Sequence, residues 1–260
     1  MLRMLFASGL LIAGAVQSLR GPFYALLFYL FIAYFRPDTW VWTSDLQALS
    51  PSFIVGLYVV ASTFLYRERI RISGPILLIA LFCLHGLISS LLSPYSAWCM
   101  TWWQGFAKVA LITILIVSLV NTEERLRLTL IVIAFSLGFE GVKQGWAYLI
   151  LRPEGPNLNS LEILGDNNGV AVGMLMLAAI LLALLQTTSR NWQRAMYLVM
   201  VVGVVFRSLT TYSRGGLFAF AAMGIMYWAR SRHRVRTAIV VGGLALLLLP
   251  LLPQDRKSVV

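Results

Sequence analysis

Apolar runs of about 17 to 22 residues recur along the whole 260-residue chain, broken only by short clusters of Arg, Pro, Gly and Asn. A run of that length crosses a hydrocarbon core of about 30 Å as a helix. A membrane β-barrel would instead alternate polar and apolar residues in segments of about ten. Roughly ten spans are predicted, near 2–19, 22–36, 47–66, 75–92, 99–120, 127–150, 168–187, 193–210, 212–229 and 237–252. No soluble domain fits between them, so the expected fold is all-α, a polytopic transmembrane helical bundle forming one membrane domain over 1–260. Composition agrees: 59% of residues are hydrophobic and 12% charged, against about 25% charged in an average soluble domain. The first run resembles a signal peptide in length, but "AVQSLRG" lacks a small-x-small cleavage pattern and a second apolar run follows at once, so it is read as a helix.

Basic residues orient the bundle. Arg20, "RERIRIS" (67–73), "NTEERLR" (121–127), "SRNWQR" (189–194) and "ARSRHRVR" (229–236) all fall on one side under strict alternation and hold twelve of the 21 lysines and arginines. That side is expected to be cytoplasmic, with both termini outside. The net charge of +11 then reflects topology and attraction to anionic lipid, and implies no nucleic-acid partner.

Lys108, Lys143, Arg207 and Arg214 lie in spans or at their ends, where a charge must snorkel, pair or line a polar cavity. Glu140 and Lys143 are three apart and are able to neutralise each other. Arg207 and Arg214 are seven apart, so on one continuous helix they would share a face, although "SRGG" is a natural break. Within "TYSRGGLFAF" (211–220), Ser213 can cap the following helix, and Gly215 beside Arg214 removes a side chain, so a ligand can approach the backbone. An arginine beside a helix start favours phosphate oxygens; the bland alternative is a snorkelling interfacial arginine. On the same predicted outer side lies "RPEGPNLNSLEILGDNNGVAVG" (152–173), where Asp166 and Asn167 suit N-capping. "FRPDTWVW" (35–42) adds Arg36, Asp38, Trp40 and Trp42 there, the tryptophans being suited to anchoring in the bilayer interface.

"GPFYALLFYLFIAYFRPDTW", the "DNNGVAVGML" start of a span and "TYSRGG" opening a late one together resemble the O-antigen ligase and polymerase family, nearest to the O-glycosylation ligases associated with exosortase A systems. The resemblance runs over essentially the whole chain. It implies a GT-C-like glycosyltransferase of the bacterial inner membrane that needs no cofactor or metal. Such an enzyme passes a glycan from an undecaprenyl-diphosphate carrier to an acceptor glycan, lipid or protein at the periplasmic face. Arg214 matches the arginine thought to engage the carrier diphosphate, with Arg207 and Lys143 as further candidates and Arg36, Asp166, Asn167, Ser213 and Gly215 as cavity-lining residues. The family's general base is a histidine in a large periplasmic loop, and this chain departs there. Its histidines are His85, expected to be packed or hydrogen-bonded within a span, and His233, in the basic loop. Relatives of this kind continue beyond "DRKSVV" with that loop and further spans. The chain is therefore expected to be a C-terminally truncated portion that binds the carrier, with no catalytic residue assigned.

Cys83 and Cys99 fall toward opposite ends of adjacent spans, which disfavours a disulfide or a metal site. The principal alternatives are a polysaccharide polymerase, which uses the same donor, a lipid-linked oligosaccharide flippase, and a noncatalytic export scaffold. A flippase would show related halves with ionisable residues between broken helices at mid-membrane. No internal repeat is evident.

Overall fold

A computed structural model describes residues 2–37, 51–151, 163–231, 235, 242 and 243. All of its regular structure among these residues is helical. The helices are α1 (Leu2–Ser18), α2 (Pro22–Phe35), α3 (Pro51–Leu65), α4 (Gly74–Leu92), α5 (Ser96–Leu119), α6 (Glu123–Leu151), α7 (Asn167–Thr187), α8 (Asn191–Leu209) and α9 (Arg214–Arg230). Each coincides with one of the predicted runs; the run over 237–252 lies outside the described residues apart from 242 and 243.

Three helices, α4, α5 and α7, are long and apolar enough to cross a membrane, with mean hydropathies of 2.2, 1.6 and 2.4. Helices α2 and α3 are apolar but have only 14 and 15 residues, about 21 to 23 Å at 1.5 Å per residue. Helix α6 has 29 residues but carries charges at both Glu123 and Glu124 and again at Glu140 and Lys143. It starts four residues before its predicted span. The acidic pair occupies its first turn, where the helix dipole favours negative charge, so a segment that reads as a charged connection is helical.

The chain divides into two compact units, Met1–Val132 and Ile133–Val260, with the division inside α6. In the first, Gly21 (φ 147°) turns the chain and Pro22 opens α2. Ala25, Leu26, Leu30, Val59, Leu115 and Leu119 from α2, α3 and α5 form its core. Arg125 donates to the Leu119 carbonyl at the end of α5 (2.9 Å) and lies over the Phe23 ring, a cation satisfying a helix C-terminus. Helices α4 and α5 form a hairpin, and most of α4 faces outward. That exposure corrects the reading of His85, which stands exposed on α4 instead of packed: among the described residues α5 is the main neighbour of α4 and covers only part of its surface.

In the second unit, α7 is the central element and buries Ala171, Met174, Ala178 and Leu181 completely. Helix α8 runs antiparallel to it, with the Ser208 hydroxyl donating to the Ala171 carbonyl at one end (2.9 Å) and Thr188 to Gln193 at the other (2.6 Å). Helix α9 is parallel to α7: Ser213 meets Asn168 at their starts, and Gln186 donates to the Tyr227 hydroxyl near their ends (2.9 Å). Gly145 of α6 and Gly203 of α8 face each other so closely that a Cβ on Gly145 would strike the Gly203 carbonyl, and one on Gly203 would lie 3.1 Å from the Val142 Cα. Glycine at both positions is what permits this crossing.

Candidate functional site

The parallel arrangement of α7 and α9 brings two helix N-termini together. Asp166 caps α7, its Oδ1 accepting from the Gly169 N–H at 2.8 Å. Ser213 caps α9, its hydroxyl accepting from the Gly216 N–H at 2.9 Å. That hydroxyl's own hydrogen is donated to Asn168 Oδ1 at 2.5 Å, and the Asn168 amide reaches Asp166 Oδ2 at 3.5 Å. One hydrogen-bonded chain therefore ties the start of α9 to the start of α7.

Backbone conformation makes the approach possible on both sides. Before α7, Gly165 adopts a left-handed conformation (φ 73°), open to glycine without cost. Leu164 folds back over Gly169 and Gly173, which leave it room. Before α9, Tyr212 takes φ 52°, reversing the chain after Thr210 and Thr211, whose hydroxyls donate to the carbonyls of Arg207 and Ser208. The two glycines after Arg214 have separate roles. Gly216 is buried and a Cβ there would collide with that of Ala171, whereas Gly215 is exposed and a Cβ would meet only ordinary contacts.

Gly165, Asp166, Asn167, Asn168 and the segment Thr211–Gly215 line a cavity of about 860 Å³. Arg214 is exposed at it. By helix geometry the first N–H groups of α7 and α9 have no intrahelical acceptor, and both positive dipole ends meet here. With a guanidinium added, the cavity is suited to an anion with several oxygens. Among the described residues no three His, Cys, Asp or Glu side chains are grouped to hold a metal.

The expected site residues separate into groups. Asp166, Asn167, Ser213, Arg214 and Gly215 come together at the cavity. Arg207 does not line it. Helix α8 ends at Leu209 and α9 begins at Arg214, so the two arginines do not share a helical face. Arg207 is 1% exposed and its Nε donates to Gln144 Oε1 at 2.9 Å. Gln144 in turn donates to Glu140 (3.4 Å), whose other oxygen pairs with Lys143 at 2.7 Å. Lys143 is thus an exposed ion-pair member on α6, as its spacing from Glu140 allows. Arg36 ends α2 in the first unit, half-buried in a left-handed conformation (φ 47°) with its N–H on the Ile32 carbonyl. Lys108 stands over the Phe53 ring at 5.3 Å, a cation–π contact. Asp38, Trp40, Trp42, Arg152 and His233 lie outside the described residues. Asn168 was missed: its neighbour Asn167 has the same cap-like composition, and only the tertiary fold selects which asparagine meets Ser213.

Ser213 caps its own helix and also donates across to Asn168 on α7, whereas both bonds of Asp166 stay at the start of α7 and the one to Asn168 is long at 3.5 Å. Ser213→Ala is therefore expected to destabilise the protein by about 1–2 kcal/mol, against ~1 kcal/mol for Asp166→Ala. Thermal unfolding of the detergent-solubilised variants measures the difference.

A protein-family model described as a family of unknown function, DUF5935, matches residues 2–169. No curated protein and no solved structure matches the chain.

Proposed function

The chain belongs to the DUF5935 family, whose function is unknown, and we propose that it binds the diphosphate of a lipid-linked glycan and serves its transfer to an acceptor. The observation that carries this reading is the convergence of two capped helix N-termini and exposed Arg214 on one cavity. In the full proposal the chain is a bundle of roughly ten spans in the bacterial inner membrane, with this cavity at the periplasmic face. Its donor is an undecaprenyl-diphosphate-linked glycan. As the glycosidic bond breaks, the diphosphate leaving group gains negative charge, and preorganised donors aimed at it lower the barrier. Arg214 supplies a charge-assisted bond, and the first N–H groups of α7 and α9 supply fixed dipoles. The described lining contains no histidine, so these residues are assigned to donor binding alone. Arg207 and Lys143, engaged along α6 and α8, are left out of that assignment.

Native mass spectrometry in nanodiscs containing undecaprenyl diphosphate tests the reading. The wild-type protein is expected to retain the lipid diphosphate, and Arg214→Ala to weaken retention by roughly 10- to 100-fold, the worth of one or two charge-assisted hydrogen bonds. Arg214→Lys should recover part of it, since lysine restores the charge without the planar fork. Equal retention by wild type and Arg214→Ala would sink the proposal.

A further inference from the structure

Below the Arg214 cavity, α7 and α9 do not close on each other. Ala179 and Ala183 on α7 and Ala219 and Ala222 on α9 line a second, apolar cavity of about 860 Å³. The short side chains at these facing positions leave the space open. Met176 and Met226 border it and are 65% and 63% exposed, so the cavity is a groove open to the surroundings along its length. Methionine is an adaptable lining for a flexible chain.

Three features order this groove relative to the site. Because α7 and α9 are parallel, it begins at the cavity end: Ala219 is one turn beyond Gly215, and Val172 lies little more than a turn beyond Asn167. From Val172 to Gln186 it extends about 21 Å along α7. At its far end the Gln186–Tyr227 hydrogen bond and Arg230 replace apolar lining with polar groups. The cavity that holds the Arg214 guanidinium and two helix N-termini thus continues into an apolar groove of limited length.

We infer that this groove is the binding site for the proximal part of a single hydrocarbon chain, belonging to the lipid whose diphosphate occupies the Arg214 cavity. The inference rests on the phosphate reading above and adds to it a path for the chain. The positive end selects an anionic head group, and the groove continues directly from it. Transfer of a chain from bilayer to groove gains little from hydrophobicity, since lipid tails are already apolar; packing against the helices and the tethered head group hold it there.

The test is photo-cross-linking of the full chain in nanodiscs of phosphatidylethanolamine and phosphatidylglycerol. The probe is a farnesyl diphosphate analogue with a diazirine at the distal end of its chain. Cross-links in the wild-type protein are expected on α7 and α9 around Ala179 and Ala222, and undecaprenyl diphosphate is expected to compete with them. Ala222→Trp, and the milder Ala222→Leu, should lower their yield, the former by roughly tenfold. Cross-links mapping elsewhere, while Arg214→Ala still weakens retention of undecaprenyl diphosphate, would overturn the groove and leave the phosphate reading standing. Groove cross-links given equally by a diazirine phosphatidylglycerol and insensitive to Arg214→Ala would overturn the inference, identifying the groove as a seat for bulk bilayer lipid, and equal retention of undecaprenyl diphosphate by wild type and Arg214→Ala would overturn the phosphate reading with it.

Discussion

Replacing Gly145 with leucine is expected to lower the stability of the second unit by about 3 kcal/mol or more and to abolish lipid retention at the cavity. Overpacking a close-packed contact commonly costs 1–3 kcal/mol when side chains can move aside. Here the obstruction is backbone. Even a Cβ at Gly145 would strike the Gly203 carbonyl, and Gly203 in turn sits against Val142 and Trp146. The indole of Trp146 also donates to the Val199 carbonyl at 3.0 Å, so separating α6 from α8 breaks that bond too. Because α8 carries the turn that leads to Arg214, displacement at this crossing propagates to the site. Thermal unfolding in detergent measures the loss. Wild-type-like stability of the leucine variant would show that the two glycines do not meet.

The second large effect concerns Gln144. Arg207 is almost fully buried, and its Nε bond to Gln144 is charge-assisted, a class worth about 1.5–3 kcal/mol. Gln144→Leu is expected to destabilise by that amount. Gln144→Glu should be better tolerated, because a carboxylate still accepts from the guanidinium. If Arg207 instead contacted the lipid diphosphate, Gln144→Leu would change retention with little effect on stability. Comparing unfolding midpoint with lipid retention for the same variants separates the positions.

The helices were readable because apolar runs of helical length leave few alternatives, and Asp166 and Ser213 carried their capping chemistry openly in "GDNNG" and "YSRGG". Their partnership was not readable. It depends on α8 being long enough to return the chain to the start of α7, and on Ser208 reaching Ala171 there. Arg207 shows the complementary difficulty. Its charge near a helix end invited a ligand-binding role, while a side chain that engages it, Gln144, lies 63 residues away on another helix, a pairing that no spacing along the chain announces. Spacing along one helix did reveal the Glu140–Lys143 pair, since both partners lie on the same element. The charged start of α6 misled for a local reason: acidic residues both end apolar runs and open helices.

The clasp between Ser213, Asn168 and Asp166 has an electrostatic consequence. It presses two helix ends of the same sign together beside a guanidinium, an arrangement that resists itself. The Asp166 carboxylate offsets part of that repulsion. A polyanion bound as proposed would relieve the remainder, so a site of this kind would be completed by its ligand more than it would merely admit it.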